Sequence, residues 1–487
     1  MTPVPTLRLA LVALLLSTAP ARGHEAPSAA SAQDRAWLAG DHHVHSRYSV
    51  GYKPAEAPGA PPTPVIAGDA RYPIPTNAQM AARHGLSWMV STDHGGPNHS
   101  KVNKELAYPE LLRSRQEVPG LIQFYGMEFD TPGADHSSLI VPHTHHEGDV
   151  LHEIESRFSE REAWPADPTR DTEPKMLEAL RHMKTVDSPP VVIANHPSRS
   201  AKAVGVYGQD TPAELRDWND TAPKVAVGME GAPGHQASAL NPDGSIDPEG
   251  ARGGYRNAPT MGGFDQMTAR LGGFWDSMLA EGRRWWVTST SDSHRHYTEG
   301  GSDFWPGEYS KTYVLARRDY DDILDGLRSG RVFVTTGDLV SELDVAVEPV
   351  RRAAHAAGIG EELHLRKGQD VRVTIRLRDP SGVNHAGRDP QVARVDLIRS
   401  EVTGPARDRT ADTNPNARVE KRFAAADWTR QGEVLTMSYV LKDVSQATYV
   451  RVRGTSSSEL EPAPDPAGED PWSDLWFYAN PVFIAVD

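Results

Sequence analysis

The sequence predicts an α/β protein: strands and helices alternating around a parallel sheet, followed by an antiparallel β-sandwich. Three observations carry this expectation. From about residue 37 to 337 short apolar runs alternate with helix-like stretches, the rhythm of βαβ units, and this many units can close into a barrel. Beyond 337 the pattern changes to period two, with Val371, Val373, Ile375 and Leu377 alternating with Arg372, Thr374, Arg376 and Arg378. Within the first of these textures, histidines and carboxylates gather where predicted strands end, the place where (β/α) barrels carry their chemistry.

The chain opens on an address. Arg8, the apolar run 9–16 and the small residues Ser17, Thr18, Ala19, Pro20 and Ala21 follow the order of a secretory signal peptide. The run is too short to span a bilayer, which needs about 20 apolar residues. Residues 1–23 are therefore expected to be removed, leaving a secreted or periplasmic protein with no membrane span. Strands are predicted over 36–44, 86–92, 121–129, 138–141, 191–194, 225–229, 285–290 and 312–316. Helices are predicted over 77–83, 109–117, 174–185, 274–281 and 320–329. Long irregular insertions are predicted over 50–72, 143–172, 207–221 and 231–263, and loops of that length are usually functional or disordered. The expected domains are 24–337 and 338–487.

Composition narrows the function. The chain has 487 residues, two or three domains' worth, and no cysteine, which excludes disulfides, thiol nucleophiles and zinc fingers. A formal charge of −15 is a poor match for a nucleic acid polymer. No Gly-rich phosphate loop and no G-x-S-x-G elbow is present.

Five clusters remain. In Asp41-His42-His43-Val44-His45-Ser46, the strand period puts Asp41, His43 and His45 on one face and turns His42 away. The others are Thr92-Asp93-His94, Gly126-Met127-Glu128, Asn195-His196-Pro197 and Ser291-Asp292-Ser293-His294. Burying so many imidazoles and carboxylates without a cation would cost a few kcal/mol for each unpaired group, which points to bound metal. Arg199 can reach an anion on the metals or form a surface ion pair. Asp93 can orient a ligand histidine, and Glu230 can do the same or serve as a structural acid. His143, His145 and His146 read as solvated, and Trp275, Trp285 and Trp286 as core or pocket wall.

In order, D-x-H-x-H-S, T-D-H, G-x-E, N-H-P and S-D-S-H resemble the PHP domain, the polymerase and histidinol phosphatase superfamily of metal-dependent hydrolases. The resemblance covers roughly residues 37–337. The stretch from Gly326 to Gly337 and the ending Trp476-Phe477-Tyr478-Ala479-Asn480-Pro481 are similar to the exported, carbaryl-hydrolase-like branch. The resemblance implies a distorted (β/α)7 barrel with two or three divalent ions, zinc, manganese or iron. It implies that His43, His45 and Asp292 hold the first metal, Glu128 bridges to a second on His196 and His136, and His94 and His294 hold a third. Where the family often has S-D-G, this chain has Ser49-Val50-Gly51. Asp69 either supplies that ligand after an insertion or is a turn residue. The implied activity is hydrolysis of a small, anionic phosphoester by a metal-bridged hydroxide. Carboxyl-ester or carbamate cleavage at the same metals, or noncatalytic binding, are the alternatives.

Overall fold

The structure is a computed structural model that describes Met1 and residues 34–55, 57–351 and 356–487. The predicted signal segment 1–23 lies outside the described residues, Met1 apart. Residues Ala36–Asp487 form one compact unit. Its first half holds β1 (Ala36–Val44), the hairpin β2 (Gly51–Lys53) and β3 (Thr63–Val65), β4 (Trp88–Ser91), β5 (Ile122–Asp130), β6 (His136–Val141), β7 (Val191–Ala194), β8 (Ala226–Ala232), β9 (Trp286–Ser289), β10 (Ser310–Ala316) and β11 (Val332–Thr336). The second holds β12 (Glu342–Pro349), β13 (Glu362–Leu365), β14 (Gln369–Arg378), β15 (Arg394–Glu401), β16 (Arg418–Phe423), β17 (Thr429–Gln431), β18 (Val434–Val444), β19 (Thr448–Thr455), β20 (Trp476–Ala479) and β21 (Val482–Val486).

The expected α/β class holds, with a large mixed sheet and a separate antiparallel one. The main sheet has 15 strands, with the path β13-β21-β19-β20-β11-β10-β1-β4-β5-β6-β7-β8-β9 and β15 and β16 branching from β19. It is mixed rather than parallel. Pairs β1/β4, β4/β5, β7/β8 and β8/β9 are parallel, but β6 runs antiparallel to both β5 and β7. The turn from β5 to β6 is too short for a crossover helix, so the chain can only reverse. Strand β10 likewise lies antiparallel between β1 and β11.

Two of the insertions expected to be irregular contain α-helices. Glu147–Phe158 buries Leu151, Ile154 and Phe158 at helical spacing. Pro212–Thr221 starts at Thr211, whose side chain accepts from Glu214 N, and buries Leu215 and Trp218. Both apolar stripes are short and set among charged residues, which hides their period.

The far ends of the main sheet's first half approach each other. Ser289 N donates to Thr312 Oγ1 at 2.8 Å and Ser289 Oγ to the Lys311 carbonyl at 2.8 Å, so side chains join β9 to β10 without a ladder. Val44 and Ser293 form an isolated parallel bridge just beyond β1 and β9.

Strands β12, β14, β18 and β17 form the four-stranded antiparallel sheet. The inward Val371, Val373, Ile375 and Leu377 share a hydrophobic cluster with Leu397, Val452 and Ile484 of the main sheet. Residues on both sides of position 337 also share a core, in which Trp476, Tyr478 and Phe483 pack with Trp275, Trp285, Trp286 and Val332. Among the described residues no helix is long and apolar enough to cross a membrane.

Buried Asn480, just after β20, clamps β9: its Oδ1 accepts from Val287 N at 2.9 Å and its Nδ2 donates to Val287 O at 3.3 Å. Asn480→Ala strands both backbone groups. A loss of about 1–3 kcal/mol is expected, read as a lower urea midpoint at unchanged slope.

Candidate metal centre

Most candidate ligands come from the end of a strand or the loop just after it; His136 opens β6, and Asp69 lies in the loop four residues past β3. The pleat of β1 sends His43 and His45 to one side and His42 to the other, where His42 is bound between Ser138 Oγ (3.0 Å) and Thr288 Oγ1 (2.8 Å). Asp41 does not join the cluster. Its carboxylate takes the backbone N–H of His43 and of Ser291, at 3.0 and 3.1 Å, and so ties the ends of β1 and β9 together.

All nine residues expected to hold metal lie in one cluster. Glu128 Oε1 is 3.2 Å from His43 Nε2, 2.9 Å from His136 Nδ1 and 2.9 Å from His196 Nε2, while its Oε2 is 3.5 Å from His45 Nε2. Asp292 Oδ1 stands 3.1 Å from both His43 Nε2 and His45 Nε2. Asp69, left open between ligand and turn residue, sends Oδ2 to 3.0 Å from His94 Nε2 and 3.3 Å from His294 Nε2. The clusters able to hold a cation include His43, His45, Glu128 and Asp292; Glu128, His136 and His196; and His45, His94 and His294.

Burial is the largest influence on Glu128 and would raise its pKa, but His136 and His43 outweigh it and hold the carboxyl well below the usual range. Asp292 behaves alike, with burial outweighed by His43 and His235. The hydrogen bonding is nevertheless incomplete. Both Asp292 oxygens, His45 Nε2 and His196 Nδ1 are buried without a hydrogen-bond partner. An imidazole nitrogen and a carboxylate oxygen 3.1 Å apart, yet not aligned as donor and acceptor, suit a shared cation. The donor set, mixed imidazole and carboxylate, fits zinc, manganese or iron.

A second layer fixes these rings. Glu230 Oε1 meets His43 Nδ1 at 2.7 Å and Thr290 Oγ1 at 2.8 Å, and its Oε2 accepts from His196 N at 2.6 Å. Asp93 reaches a ligand at one remove, binding Ser46 N, Ser46 Oγ and Ser49 Oγ at 2.6, 2.7 and 3.0 Å, while Ser49 Oγ meets His45 Nδ1 at 2.8 Å. Arg199 is neither free nor a plain surface pair. Its Nη2 donates to buried Asp135 at 2.5 Å and lies 3.5 Å from His136 Nδ1, with 37% of the side chain exposed. His143 stands apart from the cluster, paired with Glu147 at 3.1 Å and stacked on Tyr320; the His145 and His146 rings lie against each other.

Three residues escaped the sequence reading. His235 Nε2 is 3.0 Å from Asp292 Oδ2, and its Nδ1 is 2.5 Å from Asp303 Oδ1. Asp135 holds Arg199. Searching beyond the end of β8, as for the other strands, would have found His235. Asp303 and Asp135 lie in loops without period or motif.

Beside the cluster a cleft of 690 Å³ reaches Asp69 and His94. Tyr52, Pro62, Pro97 and Trp164 give it mostly apolar walls, and Glu160 and Arg161 add charge. The insertions 50–72 and 143–172 thus shape the space next to the candidate ligands.

The chain matches no protein-family model and no curated protein.

Glu128→Gln keeps the size of the side chain and removes the charge between two ligand groups. Loss of at least one metal equivalent is expected by elemental analysis of the purified protein, with far-UV circular dichroism confirming the fold. Full retention would show that Glu128 does not bridge.

Proposed function

We propose that this chain is an exported metal-dependent hydrolase of the PHP type that cleaves a phosphoester of a small molecule. Its scaffold in this reading is a distorted (β/α)7 barrel, closed by the side-chain contacts from β9 to β10 and followed by a β-sandwich. The observation that carries the proposal is the gathering of the nine expected ligands into one cluster around buried Glu128 and Asp292, where both Asp292 oxygens, His45 Nε2 and His196 Nδ1 have no hydrogen-bond partner. The order Arg8 to Ala21 supports export.

Two or three divalent ions bound there would supply Lewis acidity and lower the pKa of water from 15.7 toward ~7. The chain's own residues do the rest. Glu128 and Asp292 would hold the first ion together with His43 and His45 and offset its charge, and Glu230 and Ser49 lock the rings of His43 and His45. Asp135 holds Arg199 beside His136, where the guanidinium can bind phosphate oxygens and offset charge that grows on them. The cleft between Tyr52 and Trp164 takes the rest of the substrate and removes water from around it.

The mostly apolar cleft favours a second reading, hydrolysis of a carboxyl ester or carbamate at the same ions. An aryl phosphate, the matching aryl acetate and the matching N-methylcarbamate separate the two. Phosphate release that depends on added manganese or zinc and stops with chelator is expected. Arg199→Ala should then lower kcat/KM for the phosphate at least ~10-fold, about 1.4 kcal/mol of transition-state stabilisation. Turnover of only the acetate or carbamate, insensitive to Arg199→Ala, would select the second reading.

A further inference from the structure

We propose that His235 is a metal-ligating residue, forming with Asp292 and His294 a coordination group that the five strand-end motifs do not account for. The inference rests on reading the cluster as a divalent-metal centre and adds a ligand to it. Ligand atoms of the three residues lie within 4.8 Å of one another.

The tautomer is set from behind. His235 Nδ1 lies 2.5 Å from Asp303 Oδ1, and Asp303, buried, also accepts the backbone N–H of His294 and Arg295 through its Oδ2 at 2.7 and 2.8 Å. A carboxylate held by these two N–H groups and by the Ser302 hydroxyl, which donates to Oδ1 at 3.0 Å, takes the Nδ1 proton, and Nε2 is left to face the cluster. That nitrogen faces Asp292 Oδ2 at 3.0 Å, yet Oδ2 is buried with no hydrogen-bond partner. The 3.0 Å approach of Nε2 to Oδ2 is not aligned as a hydrogen bond, so a proton on Nε2 does not satisfy Oδ2, whereas a metal ion between the two atoms accepts electron pairs from both. Asp292 Oδ1 meanwhile turns to His43 and His45, so the carboxylate addresses two groups of imidazoles at once.

The backbone is shaped for this approach. A Cβ at Gly234 would lie 2.0 Å from Asp292 Cβ, so only glycine lets the loop come this close. His235 itself has φ 54°, a left-handed conformation uncommon outside glycine. A carboxylate, an imidazole and an open second nitrogen is the arrangement that orients metal-bound histidines.

The test uses the full mature chain loaded with zinc, and separately with cobalt, read by elemental analysis, by competition with a chelating dye and by ligand-field absorption. In His235→Gln, loss of one equivalent or at least ~10-fold weaker binding of one equivalent is expected, with a changed cobalt spectrum. Asp303→Asn keeps volume but alters what Nδ1 meets; weakening of about 10-fold is expected there. Wild-type protein that binds no metal overturns the metal centre itself and this ligand with it. Metal-replete wild type with unchanged stoichiometry, affinity and spectrum in His235→Gln overturns this ligand alone, even if turnover falls. Should His235→Gln fail to fold, Asp303→Asn decides, and unchanged affinity and spectrum in that variant overturn the assignment.

Discussion

Three imidazole nitrogens, from His43, His136 and His196, lie within 3.2 Å of a single buried oxygen of Glu128. Taking a carboxylate out of water costs several kcal/mol, repaid only by well-placed partners. The surrounding structure supplies them from separate strands. Glu128 pairs with Ser138 across the β5–β6 hairpin, which brings His136 back toward the same oxygen. Gly126, two residues earlier, allows that close pairing, since a Cβ there would stand 2.4 Å from the Leu139 carbonyl. The antiparallel excursion of β6 thus has a chemical consequence: a parallel crossover at that point would carry His136 to the opposite end of its strand.

The same constraint explains where the backbone is strained. His196 and Asp292 have φ of 31° and 46°, and they lie two residues past β7 and three residues past β9. Left-handed conformations cost of order 1–3 kcal/mol in residues with side chains and persist only where surroundings over-determine them. Glu230 accepting the N–H of His196, and Asp41 accepting that of Ser291, are such surroundings. Each bond turns a side chain inward that the regular pleat would not aim at the cluster.

Much of this was legible in the sequence because a strand's period of two is strict. The pattern D-x-H-x-H alone separates His43 and His45 from His42, and the structure places them so. The strand ends carrying His94, Glu128, His196 and Asp292 follow apolar runs that could be read directly. What escaped depends on tertiary approach rather than on period. His235 is five residues beyond Glu230 in a Gly- and Pro-containing loop, and Asp303 lies in a loop as the isolated bridge partner of His296. The direction of β6 was hidden because a short apolar strand reads alike in either orientation. The helix Glu147–Phe158 was hidden by its charged neighbours.

The C-terminal half also reaches the candidate site, through one side chain. Strand β20 pairs antiparallel with β11, and the turn after it delivers Asn480 to Val287 in the middle of β9. Five residues further along the chain from Val287 stands Asp292, the carboxylate facing His43, His45 and His235. Strand β9 pairs with β8 through a ladder on one side, while on the other its neighbours hold it by side chains, Thr312 and Asn480. A strand held that way can end its ladder early, which frees the chain to turn at Thr290 and bring Asp292 into the cluster. The ending Trp476-Phe477-Tyr478-Ala479-Asn480-Pro481 therefore belongs to the same physical unit as the histidine pair at the start of the chain, although more than four hundred residues separate them.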